Sequence, residues 1–299
     1  PDFRVLDEAE AKLLKDRALE RTLESFYQSI ESGDTEFALL AGTLGAGRDD
    51  RKLVELVLEL HEKIQSHPYP VRWLHQAAES WRSLPAHLAD SVYGRTVMED
   101  TVRKALFWAE QLERAVDAME DCEAVYNAYA DRFLETAAQL RQYEQAAQEG
   151  WEAMGRIAPE FRRMGTVRGD ENGAAKAAAQ AVLKKCKDAL KKLAAPYQVP
   201  EQAHLEDLRA TAPAMLALLR LTEQFSQRYQ AEKVRRNAMD FSDQEHYAVT
   251  LLCQEDGSPT ELARQVSQRY QEIMVDEYQD TNEVQDCIFQ AISREGGNL

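Results

Sequence analysis

The residues best equipped for chemistry stand together near the end of the chain, in Glu272-Ile273-Met274-Val275-Asp276-Glu277-Tyr278-Gln279-Asp280-Thr281-Asn282. The apolar run Ile273 to Val275 predicts a short buried strand, and it leads straight into two adjacent carboxylates. Charge at the end of a buried strand is costly to desolvate, so acids there do little for stability. They are well placed to hold a divalent cation at a sheet edge. Phosphoryl transfer uses such a pair, one carboxylate for Mg²⁺ and the next to orient and deprotonate an attacking water. A strand that merely ends in solvated acids is the plain alternative for a bare hydrophobic-Asp-Glu string.

A pair of that kind needs a scaffold, and the composition describes a helical one. The 299 residues are enough for a sizeable core and for two domains. Gly (13) and Pro (9) are scarce, while Ala, Glu, Gln, Leu and Arg dominate. No apolar run approaches ~18 residues, so no membrane span is expected. The opening Pro1-Asp2-Phe3 has no Met, basic region or apolar core of a secretory signal, and reads as the edge of a piece of a longer polypeptide. The four cysteines lie more than thirty residues apart without a Cys-x-x-Cys pair, which predicts reduced thiols and a cytoplasmic setting. His61-Glu62 starts like a zinc-protease motif, but the next histidine, His67, is out of register for one. A net charge of −16 argues against a self-sufficient nucleic-acid module, so any contact with DNA would use a local basic surface or be made as part of something larger.

Taken in order, Asp7 and Glu10 open a helix that Gly33 ends. Short helices follow over Thr35 to Ala41, Asp50 to Gln65, and the stretch carrying Trp73, Leu74, Ala77 and Trp81. The Trp pair suits core packing better than base stacking. Gly42-Thr43-Leu44-Gly45-Ala46-Gly47-Arg48 lacks the Lys-Ser/Thr and the preceding strand of a phosphate loop; it reads as a capped loop, and no Gly-Lys dipeptide occurs in the chain. Arg95 to Glu149 runs 55 residues without Gly or Pro. Its seam of Leu112, Val116, Met119, Cys122, Tyr126, Tyr129, Phe133, Ala137 and Leu140 predicts one very long helix or two with a kink.

Gly165 to Gly173 is a polar loop, and Ala174 to Leu193 a strong helix. Residues 155 to 195 hold ten bases against four acids, a local balance of +6 inside a −16 chain. Lys184, Lys185, Lys187, Lys191 and Lys192 concentrate that charge, and Lys184, Lys187 and Lys191 fall on one helix face. A solvated face and a DNA-phosphate contact both account for it. Pro213 predicts the start of another long helix, Ser242 with Glu245 a capping box, and Asn282 the start of a terminal amphipathic helix.

The run Val275-Asp276-Glu277-Tyr278-Gln279-Asp280-Thr281-Asn282 resembles motif II, the Walker B element, of superfamily 1A DNA helicases. By that resemblance Asp276 coordinates Mg²⁺ through water, Glu277 is the base for hydrolysis, and Gln279 and Asp280 couple the site to neighbouring motifs. Further stretches resemble the AddA-type subunits of bacterial AddAB helicase–nucleases. They are Phe3-Arg4-Val5-Leu6-Asp7-Glu8-Ala9-Glu10, Ser66-His67-Pro68-Tyr69-Pro70 with Trp73-Leu74, and Asp240-Phe241-Ser242-Asp243 with Glu245-His246-Tyr247. Gln244 departs from the leucine of that last pattern.

The resemblance implies a mainly α fragment. Residues 1–238 would form a helical 1B-type subdomain with long helices, the first ~30 assignable to the core. Residues 239–299 would be a small α/β piece of the RecA-like 1A core carrying the Walker B strand. The full protein would use Mg²⁺ and ATP, act on duplex ends and single-stranded DNA in recombinational repair, and pair with an AddB-like subunit in the cytoplasm. The fragment, with no Walker A loop, would bind no cofactor and be inactive alone. A non-catalytic helical interaction scaffold is the competing reading.

Overall fold

Apolar residues recur every three or four positions through most of the chain, and the backbone follows that period. The computed structural model describes residues 3–45, 49–162, 164–169, 172–294 and 297–298. Its contacts divide the chain into two units, one of Pro1–Ser83 with Thr211–Leu299 and one of Leu84–Ala210. The second unit is the middle of the chain.

In the first unit, β1 (Arg4–Val5) precedes α1 (Glu8–Glu31), α2 (Thr35–Gly45), α3 (Arg51–Gln65) and α4 (Pro70–Arg82). Asp7 caps α1 by accepting from Glu10 N at 2.8 Å. The α1–α2 turn needs φ +100° at Gly33, a conformation side-chain-bearing residues resist. Leu14, Leu19, Phe26, Phe37, Leu53 and Val57 bury one face each against Leu221, Phe225 and Tyr229. Helix α2 continues through Gly42 to Gly45, where a loop was expected, because Leu40 and its neighbours pack as a helix face; Ala46, Gly47 and Arg48 lie outside the described residues. The chain re-enters this unit to form β2 (Ala238–Met239), α10 (Phe241–Leu252), α11 (Glu261–Ser267) and α12 (Glu283–Ala291). β2 pairs in parallel with β1, Arg4 opposite Ala238 and Val5 opposite Met239.

The second unit holds α5 (Val92–Asp117), α6 (Glu123–Glu149), α7 (Trp151–Arg156) and α8 (Gly173–Ala194). The long apolar seam is thus two helices, joined by a turn over Ala118–Cys122 rather than a kink. Val116 and Val125 remain buried on either side of it and Met119 within it, so the apolar pattern gives no sign of the reversal. α6 folds back along α5, burying Leu112 and Val116 with Tyr129, Phe133 and Leu140, and α8 adds Leu183, Cys186 and Leu190. Gly94 lets α5 start against its own approach: a Cβ there would lie 1.9 Å from Leu88 O.

Helix α9 (Glu201–Arg235) has residues in both units and carries Pro213 inside it. Proline was expected to start this helix. It costs one backbone hydrogen bond within it instead, a loss that burial of Ala212, Ala217 and Leu218 nearby offsets.

The strand expected over Ile273–Val275 is not formed. Ile273 N donates to Asn298 O at 2.6 Å, but Met274 is 88% exposed. A strand is stabilised by neighbours on its ladder, and the one ladder among the described residues is β1–β2. The mainly α character holds; the α/β piece does not appear as a sheet around the acids.

Candidate active site

Asp276 and Glu277 come directly after the irregular stretch, and both side chains are exposed. Asp276 Oδ1 accepts from the Glu277 amide at 3.0 Å. Glu277 takes a left-handed backbone, φ 50° and ψ 42°, which costs a non-glycine residue about 1 kcal/mol or more and turns consecutive carboxylates away from a regular strand. Gln279 Nε2 donates to Glu277 Oε2, and the Asp280 amide donates to Glu277 O at 2.8 Å. Asp276, Glu277, Gln279 and Asp280 therefore form one tight turn closed on Glu277. Among the described residues no three His, Cys, Asp or Glu side chains come together as a metal cage. A lone carboxylate still suits Mg²⁺, which binds through one or two carboxylates, waters and substrate phosphates.

The turn is anchored to α12. Tyr278 OH donates to Asp286 Oδ1, which holds the phenol above its usual range. Asn282 caps α12 by accepting from Gln285 N at 2.8 Å. The helix is held from behind as well: Arg294 donates to the carbonyls of Ser267 at 3.1 Å and Gln268 at 3.2 Å, drawing the end of α11 toward the residues after α12.

α12 also gathers the other motif-like stretches. Val284 N donates to Ser66 O at 3.2 Å, and His67 Nδ1 lies 2.6 Å from Glu283 Oε2. His246 Nε2 lies 3.0 Å from His67 O, Ser242 Oγ 3.1 Å from Gln65 Oε1, and Gln285 Nε2 2.8 Å from Glu245 Oε1. Three stretches scattered through the sequence thus meet at the start of one helix. The individual contacts of His67, His246 and Arg294 had no signal in spacing.

The capping box of α10 is Asp240 with Asp243, not Ser242 with Glu245. Asp240 Oδ1 accepts from Asp243 N at 3.0 Å, and Asp243 Oδ2 from Asp240 N at 3.0 Å. The register is set by Lys233, which is buried and bonds Asp240 at 2.9 Å and Asp243 at 2.6 Å. Ser242 and Glu245 are freed for Gln65 and Gln285.

The expected basic residues are in the other unit, on α8. Lys184, Lys185, Lys191 and Lys192 are exposed. Lys187 is half-buried, its Nζ 4.9 Å above the Phe161 ring, so it borders the shared face rather than standing on it. None of the five forms an ion pair among the described residues.

The family profile described as UvrD/REP helicase N-terminal domain matches residues 12–299. Relatives named as the A-subunit of an ATP-dependent helicase/nuclease are similar over nearly the whole chain. The one from Ruminiclostridium cellulolyticum is 30% identical over 98% of this chain and 24% of its own length. That from Desulforamulus reducens is 30% identical over 100% and 25%, and that from Moorella thermoacetica 31% identical over 99% and 22%. The chain spans about a quarter of the relatives it matches. With the match running through α1 to the acid turn and α12, the chain belongs to the UvrD/REP helicase N-terminal domain family.

Proposed function

We propose that this chain is part of an ATP-driven DNA helicase–nuclease, and that it supplies the Walker B carboxylates of the motor. The observation that carries the reading is the run Val275–Asn282, whose two adjacent exposed acids are closed into one turn at the head of α12. Bound Mg²⁺ with ATP supplies charge neutralisation at the phosphates. Asp276, whose Oδ1 accepts from the Glu277 amide, would hold the ion through water. Glu277 orients the attacking water and takes its proton, with Gln279 steadying the carboxylate. Gln279 and Asp280 carry the state of the nucleotide to neighbouring motifs.

The exposed lysines of α8 contact duplex phosphates, without sequence preference. The relatives' name, which letters one subunit of several, supports a second polypeptide of AddB type, and DNA-end processing in the cytoplasm is the setting this implies. The chain alone has no Gly-Lys-Ser/Thr to cradle phosphates and is expected to be inactive.

The test is made in the full-length protein. Glu277→Gln removes the base and is expected to lower DNA-stimulated ATP turnover roughly 10²–10⁴-fold while nucleotide binding persists. Asp276→Ala is expected to weaken Mg²⁺-nucleotide binding as well. Unimpaired turnover in both variants would overturn the assignment and favour a helical scaffold.

A further inference from the structure

The spacing of the four cysteines suggests no joint action, yet folding pairs two of them. Cys253 is the C-terminal cap of α10, and Cys287 lies within α12. Their sulfurs are 3.3 Å apart. Both sit in one apolar cluster with Val249, Ala263, Val284 and Ala291, which holds the two sulfurs together. The sulfurs of a disulfide are about 2.05 Å apart, so closing the bond brings these two together by about 1 Å. The other two cysteines are engaged elsewhere: Cys186 is fully buried among the α8 core residues, and Cys122 Sγ lies 3.0 Å from Asn172 Oδ1.

We propose that Cys253 and Cys287 form a redox-modification site that closes to a reversible disulfide when a hydroperoxide is the oxidant. Cys287 is half-buried and Cys253 buried, so the oxidant meets Cys287 first. The Cys287 sulfur, as thiolate, attacks one peroxide oxygen; the O–O bond breaks, the sulfur becomes a sulfenic acid, and the other oxygen leaves as water after taking a proton. The Cys253 sulfur then attacks Cys287, the S–O bond breaks, and the departing hydroxide takes the Cys253 proton. Two thiols and one hydrogen peroxide give one disulfide and two waters. Burial, reinforced by contact with Cys287, pushes the Cys253 thiol up to about 12, so Cys253 is the resolving thiol, losing its proton to the departing hydroxide as its sulfur attacks.

The bond closes a loop containing α11 and the whole turn from Asp276 to Asn282, and ties α10 to the helix that turn leads into. Oxidation therefore limits how far the acid turn can move away from α10. This inference stands on the sulfur geometry alone and does not depend on the proposed ATP chemistry.

The purified chain is treated with hydrogen peroxide under native conditions, quenched, denatured and titrated for thiols. The count is expected to fall from four to two. Digestion without reduction should yield one linked peptide pair joining Cys253 to Cys287, and dithiothreitol should restore all four thiols. Cys287→Ser is expected to leave Cys253 titratable after the same treatment. Four surviving thiols, a sulfinic or sulfonic Cys287 beside a free Cys253, or links only between molecules would each overturn the proposal.

Discussion

The ammonium of Lys233 lies 2.6 Å from a carboxylate oxygen of Asp243, and both side chains are closed off from water. Asp240 shares the same ammonium at 2.9 Å and accepts from Tyr229 OH at 2.8 Å. Burial works against the Asp240 carboxylate, but Lys233 and the Asp243 amide overcome it and hold Asp240 below its usual range. At Asp243 burial wins over the same lysine, and its carboxyl is pushed up. One cation thus serves two acids that also cap α10, and its removal leaves buried charge without a partner. Lys233→Met, which keeps the length of the side chain, is expected to cost about 3–5 kcal/mol of stability. Urea unfolding reads this directly; a midpoint unchanged from the parent would show that the cluster is solvated in solution.

His61 makes stability depend on pH. Its Nδ1 is 2.8 Å from Ser226 Oγ and its ring packs edge-on to Phe225 with centroids 5.0 Å apart. Burial first, then the charges of Lys15 and Lys233, pull the imidazole down to about 4. The unfolded chain, with its histidine near 6.5, therefore binds the extra proton first as pH falls. The stabilisation is fully present above pH 6.5 and is lost between 6.5 and about 4. The loss amounts to something on the order of 3 kcal/mol. His61→Phe should flatten the stability profile in that window. An equally steep acid limb in the variant would assign the dependence to other groups.

The lysines of α8 are tested by salt. Neutralising three phosphates gives a log–log slope of about −2.7 for duplex binding. With so acidic a chain, binding is expected only at low salt. Reversing Lys184, Lys187 and Lys191 to Glu should abolish it without unfolding α8, since Glu forms helices well. Lys187, lying over Phe161, is expected to contribute least of the three. Parent-like binding by the triple variant would make this face a solvated one only.

The helices and the family were legible where a residue's role was local. Asp7, Gly33 and Asn282 cap or end their helices as their types dictate, and the run Val275–Asn282 names the family that the match over residues 12–299 establishes. What was not legible depended on partners far along the chain. Met119 of the apolar seam lies buried in the α5–α6 turn itself, and Val125 rather than Tyr126 resumes the core after it, so periodicity alone could not locate the turn. The capping register of α10 was decided by Lys233, outside the window of the motif. The apolar run Ile273–Val275 had a strand's composition, but composition does not provide the neighbouring strands on which a ladder depends. Nor did spacing reveal that Cys253 and Cys287 would share a core, because a contact between α10 and α12 has no period in sequence.

The two-residue ladder of β1 and β2 joins positions near opposite ends of the helical region, through bonds of 2.9 Å from Arg4 N to Asn237 O and from Leu6 N to Met239 O. Closing a loop that long costs about 5 kcal/mol of chain entropy, against roughly 1 kcal/mol net from each bond. The ladder therefore cannot recruit the helices; they must already have brought its strands together. Because loop cost grows only with the logarithm of length, doubling the looped-out chain would add only about 0.6 kcal/mol at this bridge. Seen from the flanking polypeptide, everything between Leu6 and Asn237 is a single detour whose entrance and exit lie side by side.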